Sequence, residues 1–224
     1  PPPPPPPRPP PGELSTKSTK CDFGVKKMTY FKSTQSHIYS HIILPVSVST
    51  AAWRNLLRER ASMFFGDEFE LPSSVLTPLG FHEFMKVLLT LNPSERMMVI
   101  KTLINSWSTS RRLHEGVIHP CLFCGEQEDD LKHYLRCDFL WDNMISSAKL
   151  PSTWLSLPPP VRLGLDLPNQ LGLKLLVCGF RVYHTFKLVH IDQVLQSLAS
   201  GDVEFRLNLL LELAEVYLNE LGVI

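Results

Sequence analysis

Pro120-Cys121-Leu122-Phe123-Cys124-Gly125-Glu126-Gln127-Glu128-Asp129-Asp130-Leu131-Lys132-His133-Tyr134-Leu135-Arg136-Cys137 is the stretch on which the reading of this chain turns. It has the form Cys-x2-Cys-x8-His-x3-Cys. Two thiols three residues apart, followed by a glycine able to take a positive φ, can wrap a turn whose backbone amides point at sulfur. His133 and Cys137 stand four residues apart, the spacing that places two side chains one above the other on a helix. Cys121, Cys124, His133 and Cys137 are therefore the candidate metal ligands, and zinc is the ion that this donor set suits. Four protein ligands close a tetrahedral shell and leave no position for water, which favours a structural ion over a catalytic one.

Other readings of the same residues carry less. Incidental buried cysteines would not be expected to place three of the chain's five cysteines and a histidine at ligand spacing. Iron-sulfur ligation prefers a fourth cysteine. A redox Cys-x2-Cys pair would sit where a strand leads into a helix, whereas here Pro120 precedes the pair and a glycine follows it. Asp129 and Asp130 either orient the His133 imidazole or form a solvated acidic turn at a helix start. His114 and His119 lack partners at ligand spacing and are read as loop histidines. Cys21 and Cys178 stand alone, and the ordinary reading of such a thiol is a small buried side chain.

Composition bounds what surrounds the cluster. A chain of 224 residues that is 44% hydrophobic can bury a core without disulfides. An odd cysteine count with this clustering points to a reducing, intracellular setting, with nucleus and cytoplasm not distinguished. The formal net charge is zero, so any nucleic-acid surface has to be local. No signal peptide and no run of 18 apolar residues is present, so no membrane partner is expected. The chain opens on Pro1 without a methionine, from which we expect a fragment, a processed product or a conceptual translation.

Working outward, the fold class is mainly α: a small helical domain stapled by a zinc knuckle, with a disordered Pro-rich leader. Residues 1–49 read as that leader and a basic arm, with prolines through Pro11 broken by Arg8 and five lysines between Lys17 and Lys32. A short extended segment over Ile42 to Val48 is expected there. Residues 50–150 read as a helical region holding the knuckle at 121–137. Trp53, Leu56, Leu57, Arg60, Phe64 and Phe65 recur at helical spacing, as do Phe81, Phe84, Met85, Leu88 and Leu89. Asn92-Pro93-Ser94-Glu95 is a helix start with a cap, a first-turn proline and a capping-box glutamate. The helix it opens should carry Met97, Ile100, Leu103, Ile104 and Trp107 on one face and fade before Arg111. Another helix is expected from Phe139 to Pro151. Pro158 to Pro160 and Pro168 argue against regular structure over residues 151–169, a Pro-rich linker. Residues 170–224 read as C-terminal helices, the last starting at Asp202 and striped by Leu207, Leu210, Leu211, Ala214, Tyr217, Leu218 and Leu221.

Arg111-Arg112-Leu113-His114, then Pro120 through Gly125, then Asp129, Asp130, Leu131, His133, Tyr134, Leu135, Cys137 and Trp141 resemble the C-terminal zinc-binding region of non-LTR retrotransposon reverse transcriptases. The likeness runs from about Thr102 to Trp141, under a quarter of the chain. That family commonly has four residues between the histidine and the last cysteine, where this chain has three. The resemblance implies a region downstream of a polymerase domain that contacts RNA or DNA. On that reading Arg111, Arg112, Lys132 and Arg136, with Lys149, would meet phosphates, and Phe123, Tyr134 or Trp141 would stack on bases. Glu126, Glu128, Asp129 and Asp130 make the same loop acidic, which opposes it. The catalytic reverse transcriptase domain itself is absent: paired aspartates on a strand hairpin are needed for nucleotidyl transfer, and Glu128-Asp129-Asp130 lies in the knuckle. No catalytic residue is assigned. The alternative function is a protein-protein interaction module whose zinc site holds helices that dock a partner protein through the C-terminal stripes.

Overall fold

Asn92 sets the first well-defined helix boundary in the way its sequence dictates. Its side-chain oxygen accepts from the Glu95 amide at 2.9 Å, and the Glu95 carboxylate accepts from the Asn92 amide at 3.2 Å, a reciprocal capping box. The computed structural model of the protein describes residues 78–166 and 168–224. The leader and basic arm of 1–49, the extended segment at Ile42 to Val48, the helix expected from Thr50 to Gly66 and Cys21 lie outside the described residues.

The helices, in chain order, are α1 (Pro78–Thr90), α2 (Pro93–Leu103), α3 (Ser110–Leu113), α4 (Leu131–Tyr134), α5 (Asp138–Ser147), α6 (Pro159–Arg162), α7 (Gln170–Leu188), α8 (Ile191–Ser200) and α9 (Val203–Glu220). Among the described residues there is no sheet, only a single antiparallel bridge between Pro120 and Glu128. The fold is small and mainly α, as the periodicities imply. Among these helices, none is long and apolar enough to cross a membrane.

α7 is the central element. It packs against α1, α2, α5, α8 and α9, and α9 packs in turn on α5. Eleven of its residues are buried, Leu173, Leu176, Phe180 and Tyr183 among them, while Lys174, Arg181 and Thr185 keep one side of the helix polar and half-buried. The stripe of α9 faces inward: Leu210, Ala214 and Leu218 are fully buried, and Leu221 just beyond is nearly so. Four of the seven residues of the apolar face proposed for a partner protein are thus in the chain's own core, at about 1.5–3 kcal/mol for each large side chain removed from water, while Leu207, Leu211 and Tyr217 are half-buried.

Three boundaries differ from the sequence expectation. α2 stops at Leu103 with Ile104 as its C-cap, so Trp107 is buried from the following turn and not from the helix. Thr109 then caps a separate turn, α3, by accepting from the Arg112 amide, and this places Arg111 and Arg112 on a short helix of their own. Between Pro151 and Asn169 the prolines do not exclude regular structure. Ser152–Trp154 forms a 3-10 turn and α6 begins at Pro159, a proline at a first helical position where no amide is needed. Leu163 and Leu165 of this stretch are buried in the core shared with the helices on either side of it.

Candidate metal centre

The cysteine turn is folded as its glycine allows. Gly125 has φ +80° and its amide donates to the Cys121 carbonyl at 2.9 Å, closing the loop around the two thiols. The Glu126 amide points at the Cys124 sulfur, 3.5 Å away. The base of the loop is tied by the Pro120–Glu128 bridge and by the Asp129 amide donating to the His119 carbonyl at 2.9 Å.

His133 and Cys137 do not share one helix. His133 lies on α4, which ends at Tyr134, while Cys137 has extended dihedrals (φ −62°, ψ 105°) and stands immediately before α5. The spacing of four still brings both to the site, by a break between two helices and not by helical stacking. The Trp141 indole spans the break by donating to the Tyr134 carbonyl at 2.9 Å.

Together these elements bring Cys121, Cys124, His133 and Cys137 into one cluster, with one donor atom from each and all four within 4.8 Å of one another. Cys121 Sγ is 3.9 Å from Cys137 Sγ, and Cys124 Sγ is 3.3 Å from His133 Nε2. A zinc tetrahedron with ordinary bond lengths has edges of about 3.8 Å between sulfurs and about 3.6 Å between sulfur and nitrogen. The donor set therefore fits zinc in chemistry and in size. Cys121 and Cys137 are buried and Cys124 and His133 half-buried, so the centre sits at the edge of the core.

The crowded donors perturb one another strongly. Burial alone would lower the His133 pKa, but donation from its ring to the Cys121 and Cys124 sulfurs outweighs that and raises it to about 10. Hydrogen bonding to Cys121 and Cys137 drives the Cys124 thiol well down, and sharing with Cys121 and Cys124 drives Cys137 well up.

Around the donors, the apolar residues of the knuckle are core. Leu122, Phe123, Leu131, Tyr134 and Leu135 are fully buried, and Tyr134 and Phe123 pack in an aromatic cluster with Trp107, Tyr183 and Phe186. Phe123, Tyr134 and Trp141 are thus closed to base stacking.

Asp129 is the residue that sequence reasoning misplaced. It is neither a partner of His133 nor part of a solvated turn. It is fully buried, and its carboxylate accepts from Tyr134 Oη at 2.7 Å, Tyr183 Oη at 3.1 Å and the Ser110 amide at 2.6 Å, with Lys187 Nζ 3.5 Å away. Lys187 also pairs with Glu115 at 3.2 Å. Asp130 instead caps α4 through the Lys132 amide. The only hint in the sequence lay in Tyr134 and Tyr183, core-facing tyrosines whose hydroxyls require a partner.

The basic residues are dispersed. Arg111 is tied to the acidic loop by ion pairs with Glu128 and with Asp130 (3.9 Å). Arg112 is exposed and reaches back to the Trp107 carbonyl at 3.4 Å, Lys132 is half-buried and Arg136 is exposed. His119 lies 3.5 Å from Glu115, and His114 ends α3 with φ +51°, so neither joins the cluster. Cys178 is buried as expected and its thiol is pushed up to about 12 by that burial.

No family model matches the chain, and no curated protein or solved structure is significantly similar to it, so what identifies the centre is its own donor set and geometry.

Proposed function

We propose that Cys121, Cys124, His133 and Cys137 hold one structural zinc ion and that the protein is a zinc-stapled helical module without a reaction of its own. One observation carries this: four donors of the right chemistry, drawn from three separate segments, lie within 4.8 Å of one another, two of the pairs at 3.9 Å and 3.3 Å, close to the edges of a zinc tetrahedron. Zinc bound there crosslinks the 121–125 turn to α4 and to the start of α5. The residues do the rest: Leu122 and Phe123 anchor the turn in the core, and Asp130 and Trp141 hold the two helix ends that present His133 and Cys137. Native mass spectrometry of the full chain should give one zinc per molecule, and cobalt(II) substitution should give thiolate charge-transfer absorption, both lost in Cys137→Ser. A folded chain that binds neither metal would refute the assignment.

A second reading keeps the retroelement resemblance and assigns Arg111, Arg112, Lys132 and Arg136 to RNA or DNA. The exposure of Arg112 and Arg136 supports it. The pairing of Arg111 with Glu128 and Asp130, and the burial of the knuckle aromatics, oppose it and favour the staple alone. Fluorescence anisotropy with single-stranded RNA and duplex DNA across a salt series separates the two. The staple reading expects no binding at low salt. Salt-sensitive binding lost in Arg112→Ala/Arg136→Ala would establish the nucleic-acid role instead.

A further inference from the structure

Arg206, on the first turns of α9, is only 3% exposed. Its acceptors among the described residues are all neutral: Nε donates to the Phe123 carbonyl at 3.0 Å, and Nη1 to Ser197 Oγ and to the Asp202 carbonyl, each at 3.4 Å. None of the ion pairs among the described residues includes it. The other buried arginine, Arg162, is different, since it feels the carboxylates of Asp138 and Asp142 and lies over the Trp141 ring. A buried cation facing only neutral acceptors is costly unless an opposite charge lies near.

The charge that answers it is supplied by the metal centre. Phe123 sits between Cys121 and Cys124, and Arg206 Nη2 lies 3.9 Å from where a Cβ on Gly125 would stand, so the guanidinium backs directly on the cysteine turn. A zinc dication held by three thiolates and a neutral imidazole carries one net negative charge. Resting on the zinc reading above, we infer that Arg206 is the counter-charge of the loaded centre, a positioning residue that raises its metal affinity and couples α9 to its occupancy. Metal held in the knuckle is thereby sensed by a side chain 69 positions beyond Cys137.

The test is zinc affinity of the full chain by chelator competition, with cobalt(II) charge-transfer absorption as a second readout, for wild type, Arg206→Lys, Arg206→Gln and Arg206→Met. Lysine keeps the charge; glutamine keeps a donor for the Phe123 carbonyl without it. The expected result is a loss of roughly 10- to 100-fold in Gln and Met, the range for groups that support metal ligands, with Lys restoring most of it. Thermal unfolding under saturating zinc checks that each variant folds, and Gln decides the matter if Met does not fold. Wild-type affinity in Gln, or equal losses in Gln and Lys, would overturn the counter-charge. A wild-type chain without metal absorption would instead remove the zinc reading on which it stands.

Discussion

Asp129 shows what one side chain does here. Its carboxylate joins the knuckle to α7 through Tyr134, Tyr183 and Lys187, while its neighbour Asp130 makes a single cap. Removing one member of a buried ion pair strands the other, so Asp129→Ala should cost roughly 3–5 kcal/mol. Asp130→Ala should cost about 1 kcal/mol. Urea unfolding of the two zinc-loaded variants checks this, and equal costs would contradict the network. The difference between them was not legible in Glu128-Asp129-Asp130, because three adjacent acids carry no local sign of which one the tertiary structure encloses. The clustering of Cys121, Cys124, His133 and Cys137 was legible from their spacing.

At the scale of elements, local signals were read where they are self-contained. The Asn92 box needs only four residues, and the start of α9 at Asp202 needs only its own cap, made to the Phe205 amide at 2.9 Å. Asn92→Ala should therefore lower stability by about 1 kcal/mol with little change in metal binding, measured by denaturant midpoint. The break between α4 and α5 was not legible, because spacing alone cannot tell a continuous helix from two short ones that meet between His133 and Cys137. Nor was the close approach of α7 to α5. A Cβ on Gly179 would lie 2.9 Å from Trp141 Cη2, and that indole is held by its bond to Tyr134. Gly179→Ala, ordinarily favourable in a helix, should instead cost about 1–3 kcal/mol by overpacking, with Trp141 fluorescence reporting the shift.

For the whole molecule, the knuckle and the C-terminal helices form one core. Leu198 of α8 would lie 2.9 Å from a Cβ on Gly125, and Arg206 reaches the Phe123 carbonyl, so the metal centre is covered by helices from the far end of the chain. That long-range closure has no counterpart in periodicity, which is why the helices were legible and their arrangement was not. The same closure sets a pH dependence. Burial pushes the Cys178 thiol from 9.0 to about 12, and burial, then the Asp129 charge, raises Tyr183 well above the usual phenol range. Groups whose folded values are raised stabilise fully below their unfolded values, and that stability drains away as pH climbs toward the folded ones. Urea midpoints should fall as pH rises from about 9 toward about 12, and fall less in Cys178→Val. A flat profile would mean that the two groups are not closed off as described.

X-ray absorption at the zinc edge of the full-length protein, purified without added metal, bears most directly on the centre that organises all of this. The expected spectrum fits three sulfurs at about 2.3 Å and one nitrogen at about 2.0 Å, with no oxygen in the shell. A folded protein without zinc, or a shell with fewer than three sulfurs and a bound water, would contradict the closed Cys121, Cys124, His133 and Cys137 site.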